Sequence, residues 1–364
     1  MPEARKPALG AVPAGHPGRL VRLGLVLGLV VLAPVGAEYA VGYDTSTGHP
    51  LTLVGGLLIL TPLYGAPALL IRELARRTGI RWPGILALAA AMGLIQAGVV
   101  DQSLFSSSYR DIGYWDEMLL PTLIPALGVG GYHAVSFIGG HLLWSFAIPI
   151  ALVESLSPSW GRRPWLRWPG LALAVVLYLA AAALILSETL RTESDHASAA
   201  QAGGSLALAA LLIGWACTFG RRRPTAPSRP TVRVPRPRLV AAAAFVAALA
   251  VNLAPETWAG VGAALVVLAT SAVTVVRWSR SPAWTGAHVA VLAGAALVAR
   301  AVVGFAVTPL GEVDTTAKYL HNTFFVLAAA ALTLLAFVQS RRPSHQAQAA
   351  AADEFGAVSR SQHP

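Results

Sequence analysis

The feature that most restricts how this chain can fold is a succession of continuously apolar runs. They lie at about 20–42, 51–71, 83–104, 131–153, 169–187, 203–219, 239–255, 257–276, 284–307 and 319–339, each bounded by charged or turn-forming residues. A helix rising about 1.5 Å per residue needs ~20 residues to cross ~30 Å of hydrocarbon, and each run is near that length. The runs lack the alternation of a membrane strand, so helices are expected rather than a barrel. Composition agrees. Only 12% of the 364 residues are charged and 55% are hydrophobic, whereas a soluble domain carries roughly 25% charged residues. The expected class is therefore all-α, a polytopic transmembrane helical bundle of about ten spans.

An even number of spans puts both termini on one side, and the basic residues test that layout. Of the 27 Lys and Arg residues, all but Arg110, Arg191, Arg300 and Lys318 fall in alternate segments, from Arg5 and Lys6 through Arg72, Arg76 and Arg77 to Arg341, Arg342 and Arg360. The positive-inside rule makes those segments cytoplasmic and puts both termini inside. The formal net charge of +10 is then mostly topological. The partners it implies are the lipid bilayer and anionic headgroups near the basic loops, not nucleic acid. Arg19, Arg22 and "LGLVLGLVVLAP" also resemble a signal peptide. The apolar run continues through "AEYAVGY", so an uncleaved first helix is expected; cleavage after Ala37 would leave nine spans in the same orientation.

Five segments follow: a cytoplasmic N-terminal segment at 1–19, a first membrane region of six spans at 20–219, a basic linker at 220–238, a second region of four spans at 239–339 and a disordered tail at 340–364. The linker sequence "RRRPTAPSRPTVRVPRPR" is rich in arginine and proline and has no acid, which favours an extended chain. Near 117–130, "YWDEMLLPTLIPALGVGG" is apolar but too short to cross. A short interfacial helix or a re-entrant segment fits it, with Tyr114 and Trp115 as headgroup anchors. In the first span, Gly24 and Gly28 have the spacing used for tight helix contacts.

Depth decides which polar residues carry weight. Gln96 lies about 20 Å from the cytoplasmic end of its span, and Asp101 about 27 Å, at the outer interface. His141 sits about 15 Å from the outer end of its span, with Ser145 one turn further on the same face. A polar side chain at such depth needs a partner or a hydrated cavity, and Gln96 is the partner expected for His141. Glu38, His133, Asn252, Arg300, His321 and Asn322 also gather toward the outer side. Arg300 is close enough to its helix end to snorkel or to pair with Glu312 or Asp314. The candidate ligand-binding residues are therefore Gln96, His141, Asp101, Glu38 and Arg300. No cofactor is expected. His133 and His141 lie about 12 Å apart along one helix, too far to share a metal. Cys217 is the single cysteine, which excludes an intrachain disulfide and a cysteine-based zinc site. No catalytic triad or phosphate-binding glycine loop is present.

"FIGGH", Phe137 to His141, matches the F-x-x-x-H element of the CAAX-protease and bacteriocin-processing family of intramembrane metalloproteases, and it follows "LLIRELARRTG" and "GLIQAGVV" in an order that resembles that family. The resemblance implies a multi-helical catalytic region within residues 60–155, with a first motif E-E-x-x-x-R whose glutamate activates water. Gln96 and Ala97 stand at that place, with Asp101 where the arginine belongs, and a glutamine cannot act as a general base. The third element, His followed four residues later by Asn or Asp, is absent: Leu292 follows His288 and Phe325 follows His321. "YGAPALLIRELARR" and the Ala/Arg/Gly-rich composition also resemble uncharacterised multi-pass membrane proteins of high-GC actinobacteria, a likeness that implies a bacterial inner (plasma) membrane and no activity. The sequence reading is thus a non-enzymatic membrane protein with a permease-like or small-ligand pocket opening outward. Its alternatives are a degenerate protease homologue that binds a membrane peptide or lipid-anchored partner, and a scaffold subunit.

Overall fold

The computed structural model describes residues 18–221 and 232–341. The terminal segments, most of the arginine-rich linker and the Ala-rich tail lie outside the described residues. Eleven helices are described: α1 (Arg19–Tyr39), α2 (Pro50–Thr78), α3 (Trp82–Val100), a short α4 (Trp115–Leu119), α5 (Gly131–Leu156), α6 (Trp168–Thr192), α7 (Ala199–Arg221), α8 (Pro237–Asn252), α9 (Trp258–Trp278), α10 (Gly286–Val303) and α11 (Thr315–Arg341). All but α4 and α8 are long and apolar enough to cross a bilayer; α8 has 16 residues, about 24 Å. The continuously apolar runs become helices because a helix satisfies every backbone group within its own segment in lipid. Leu20, Leu51, Leu58 and Leu211 project outward with at least 70% exposure, which suits hydrocarbon and not water.

Contacts sort the helix ends into two faces. At the arginine-rich end, Arg81 N–H donates to Gly220 O at 2.9 Å, Arg77 Nη2 to Leu166 O, and the His288 ring meets Pro235 O at 3.1 Å. At the opposite end, Leu310 N–H donates to Tyr43 O, Ser107 N–H to Asp195, and Gln201 Nε2 to Leu127 O. The interhelix segments alternate between these faces, as the distribution of basic residues requires.

Helices α1 and α5 are the centre of the bundle. Leu25, Leu29, Phe146, Ile150 and Val153 join one core cluster with Tyr64 and Ala68 of α2 and Ile85 and Leu88 of α3. Trp144, Ile148 and Leu152 join a second with Ala293 and Leu297 of α10 and Phe325 of α11. Helix α2 comes close to α1 at Gly65, where a Cβ would overlap the Val30 carbonyl. Val30 is four residues before Pro34, whose missing N–H leaves that carbonyl without its usual helical partner. The Gly24/Gly28 pair plays no such role: Gly24 has no neighbour within 4 Å of a Cβ position, and Gly28 meets only Val153 at 3.9 Å.

The segment before α5 forms α4 and then a two-residue hairpin, β1 (Leu123–Ile124) antiparallel to β2 (Val129–Gly130), with Leu123 opposite Gly130. Trp115 is not a headgroup anchor. It is buried, donates its Nε1–H to Ser106 O at 3.0 Å and lies 4.5 Å from the His133 ring. Tyr114 remains on the surface.

Candidate functional site

Five stretches of the first four membrane helices widen from α to π geometry: Val35–Tyr39, Thr61–Gly65, Gln96–Val100, Ala134–Ile138 and His141–Ala147. Proline contributes at three of them, Pro34 just before the first, Pro62 inside the second and Pro149 just after the last. Each removes a backbone donor that the regular ladder would use. A π turn rotates the residues after it relative to an α-helix, and such turns recur at functional sites. Here they present Glu38, Tyr64, Gln96 and His141.

Glu38 is the junction. Its Oε2 accepts from the Tyr43 hydroxyl and its Oε1 from the Tyr64 hydroxyl, both at 2.5 Å. Among the described residues it forms no ion pair within 4 Å; the described ion pairs involve other acids. The Tyr64 ring stacks on His141 at 5.6 Å between centroids, and His141 Nδ1 lies 3.2 Å from Ser145 Oγ. Tyr64 thus bridges the carboxylate of α1 to the imidazole of α5.

Asp101 ends α3. Its Oδ1 accepts from Ser103 N–H at 2.9 Å, closing the turn after the helix. Burial lifts its carboxyl to a pKa of about 6; the Ser103 bonds oppose that shift, and the Glu38 charge adds to it. Burial and the neighbouring Glu38 carboxylate likewise raise the Tyr43 phenol well above its ordinary range. Tyr109 is raised too, first by burial and then by Asp101. Arg110 Nη2 closes this face through Asp44 Oδ1 at 3.1 Å.

The expected Gln96–His141 pair does not form. The helices do meet, since a Cβ on Gly93 would lie 3.1 Å from that of His141. Gln96, one turn later, instead accepts from the Tyr178 hydroxyl of α6 at 3.2 Å. Widening at Gln96–Val100 accompanies this aim toward α6. Arg300 does not pair with Glu312 or Asp314 either. Its Nη1 donates to Asn252 Oδ1 at 2.8 Å and its guanidinium lies 5.5 Å from the Trp144 ring. Its Nε is buried without a partner among the described residues. Three of the five candidate residues, Glu38, His141 and Gln96, thus meet tyrosines that sequence reasoning missed, namely Tyr43, Tyr64 and Tyr178, while Asp101 and Arg300 have other partners. Tyr43 follows the end of its apolar run and looks like an interfacial anchor, whereas Tyr64 and Tyr178 lie inside theirs, where nothing local marks them.

Other polar residues have structural partners. His321 Nε2 lies 2.9 Å from Tyr39 O while Gly48 N–H donates to its Nδ1 at 3.3 Å, so the neutral ring pins the loop after α1. His133 is fully buried between Trp115 and Phe137, with neither ring nitrogen bonded among the described residues. No group of three or more His, Cys, Asp or Glu residues is placed to hold a metal among the described residues.

A second polar cluster lies at the arginine-rich end. Sequence reading counted Arg72, Arg76 and Arg77 only as topological charges. Arg72 and Glu73 are in fact fully buried and ion-paired. Arg72 Nε reaches Glu154 at 3.2 Å, its Nη2 donates to Gly161 O at 2.7 Å, and it lies 3.4 Å from the Trp165 ring. Glu73 accepts from Trp165 N–H at 2.7 Å and Leu166 N–H at 3.2 Å, and Arg76 Nε donates to Glu154 at 2.7 Å. Glu73, alone among arginines in "RELARR", was the available signal. Every charge here has partners, so the cluster is a clamp on the 157–167 loop.

Residues 26–308 match the model of a family described as an uncharacterised membrane protein family. No curated protein and no solved structure matches the chain.

Proposed function

Since the chain belongs to that uncharacterised membrane protein family, we propose that it is a permease-like membrane protein with a pocket for a small cationic or protonatable ligand, centred on Glu38. The arginine-rich end is assigned to the cytoplasm of a bacterial cell by the positive-inside rule, which opens the pocket to the outer side. The observation that carries the reading is the Glu38 carboxylate, held by two phenol hydroxyls and no cation within ion-pair distance among the described residues. A carboxylate in that setting gains most from a proton or a cationic group brought by a ligand. Tyr64 and His141 supply an aromatic wall suited to such a cation, and Asp101 supplies a second acid at the rim. Gln96, bonded to Tyr178, and Arg300, bonded to Asn252, are assigned to the outer part of the same pocket.

The reading is tested by thermal stability of purified protein against a panel of small amines, amino acids and quaternary ammonium ions. A subset should raise the melting temperature of wild type and leave Glu38→Gln unmoved. Stabilisation of both proteins alike, or of neither, would contradict it. The CAAX-protease resemblance does not add a second reading, because Gln96 and His141, at the positions of two of its motifs, engage different partners.

A further inference from the structure

Helices α8, α10 and α11 leave a groove between them, lined by Phe245, Ala295, Val298, Ala330 and Leu334. At its foot, at the arginine-rich end, lies a polar pocket bordered by Arg236, Arg238, Arg341, Thr285 and Ser340. Phe337 borders both, so groove and pocket adjoin and together form one depression with Phe337 at the junction. We infer that this depression binds one anionic phospholipid of the adjoining leaflet, with its phosphate among Arg236, Arg238 and Arg341 and an acyl chain along the groove.

Three observations favour that occupant. The arginines come from two helices about 100 residues apart in sequence, are exposed, and have no ion pair among the described residues. Arg341 lies 5.3 Å from the Phe337 ring. The groove walls are almost wholly apolar, which suits a hydrocarbon chain and not a soluble anion. Finally, α8 has 16 residues, so its ~24 Å falls short of the ~30 Å hydrocarbon core. That mismatch draws Arg236 and Arg238 to the boundary where lipid phosphates lie. Basic pockets between membrane helices bind anionic headgroups for this reason.

The test is native mass spectrometry of the full chain released from vesicles of equal phosphatidylcholine and phosphatidylglycerol. Wild type should retain phosphatidylglycerol in excess. The triple variant Arg236→Gln/Arg238→Gln/Arg341→Gln should retain at least ~tenfold less of it, with phosphatidylcholine unchanged. Ala330→Phe, which fills the groove from an exposed position and leaves the arginines intact, should lower retention as well. Melting temperatures in phosphatidylcholine alone check that both variants fold. Retention of the two lipids in their bulk ratio, or an unchanged triple variant, would overturn the inference. Displacement by inorganic phosphate with Ala330→Phe without effect would do so too, because the site would then be one for free phosphate.

Discussion

At the scale of single residues, two carboxyls behave differently because their partners differ. Glu38 receives two phenol hydrogen bonds, and one bond to a charged group contributes about 1.5–3 kcal/mol. Tyr64→Phe should therefore destabilise the protein by roughly that amount in a reversible unfolding measurement, while Tyr114→Phe, on the surface, should change little. Asp101 is shifted upward by burial, from 3.8 to about 6. Its protonated form is the one the fold favours, so its contribution is fully present below pH 3.8 and is lost as pH rises through about 6. Asp101→Asn keeps an acceptor for Ser103 N–H and should flatten the stability profile between those values; an unaltered profile would show that another group titrates there. Glu38 and Asp101 were legible in the sequence as acids beside apolar runs. Their tyrosine partners were not, because hydrogen bonding between helices leaves no mark on either run alone.

At the scale of elements, most run boundaries were readable to within a few residues because hydrocarbon thickness fixes helix length, although α2 continues seven residues past its apolar run to Thr78. What runs and depth counting could not show is phase. Counting depth assumes an unbroken α-helix, and each π turn rotates everything after it. In α5 the turn at Ala134–Ile138 precedes His141 and shifts its phase, and Gln96 meets Tyr178 instead. Trp115 was misplaced for a related reason: aromatic residues before a span suit the interface, yet this one packs under a hairpin. Two predictions belong here. Glu73→Ala leaves Arg72 buried beside a lost partner and should cost about 3–5 kcal/mol, or prevent folding, as read by expression and unfolding midpoint. Gly65→Val should separate α1 from α2 at the Val30 carbonyl and lower the melting temperature, whereas Gly24→Val, with open space around it, should not.

At the scale of the whole molecule, alternating basic segments and interhelix contacts agree on two faces, and the polar residues divide between them. One face carries a clamp whose charges are all paired. The opposite face carries Glu38, hydrogen-bonded but without an ion pair among the described residues. A structural cluster is expected to be satisfied, and a binding site is expected to leave something for its ligand. The most direct test is whether Glu38 can be reached, and from which side. In a Cys217→Ser background, Glu38→Cys in intact cells should react with a membrane-impermeant cationic thiol reagent, as should Thr45→Cys in the adjoining exposed loop. Reaction at Thr45→Cys with none at Glu38→Cys, or reaction of Glu38→Cys only from the arginine-rich side, would contradict an outward-opening pocket centred on Glu38.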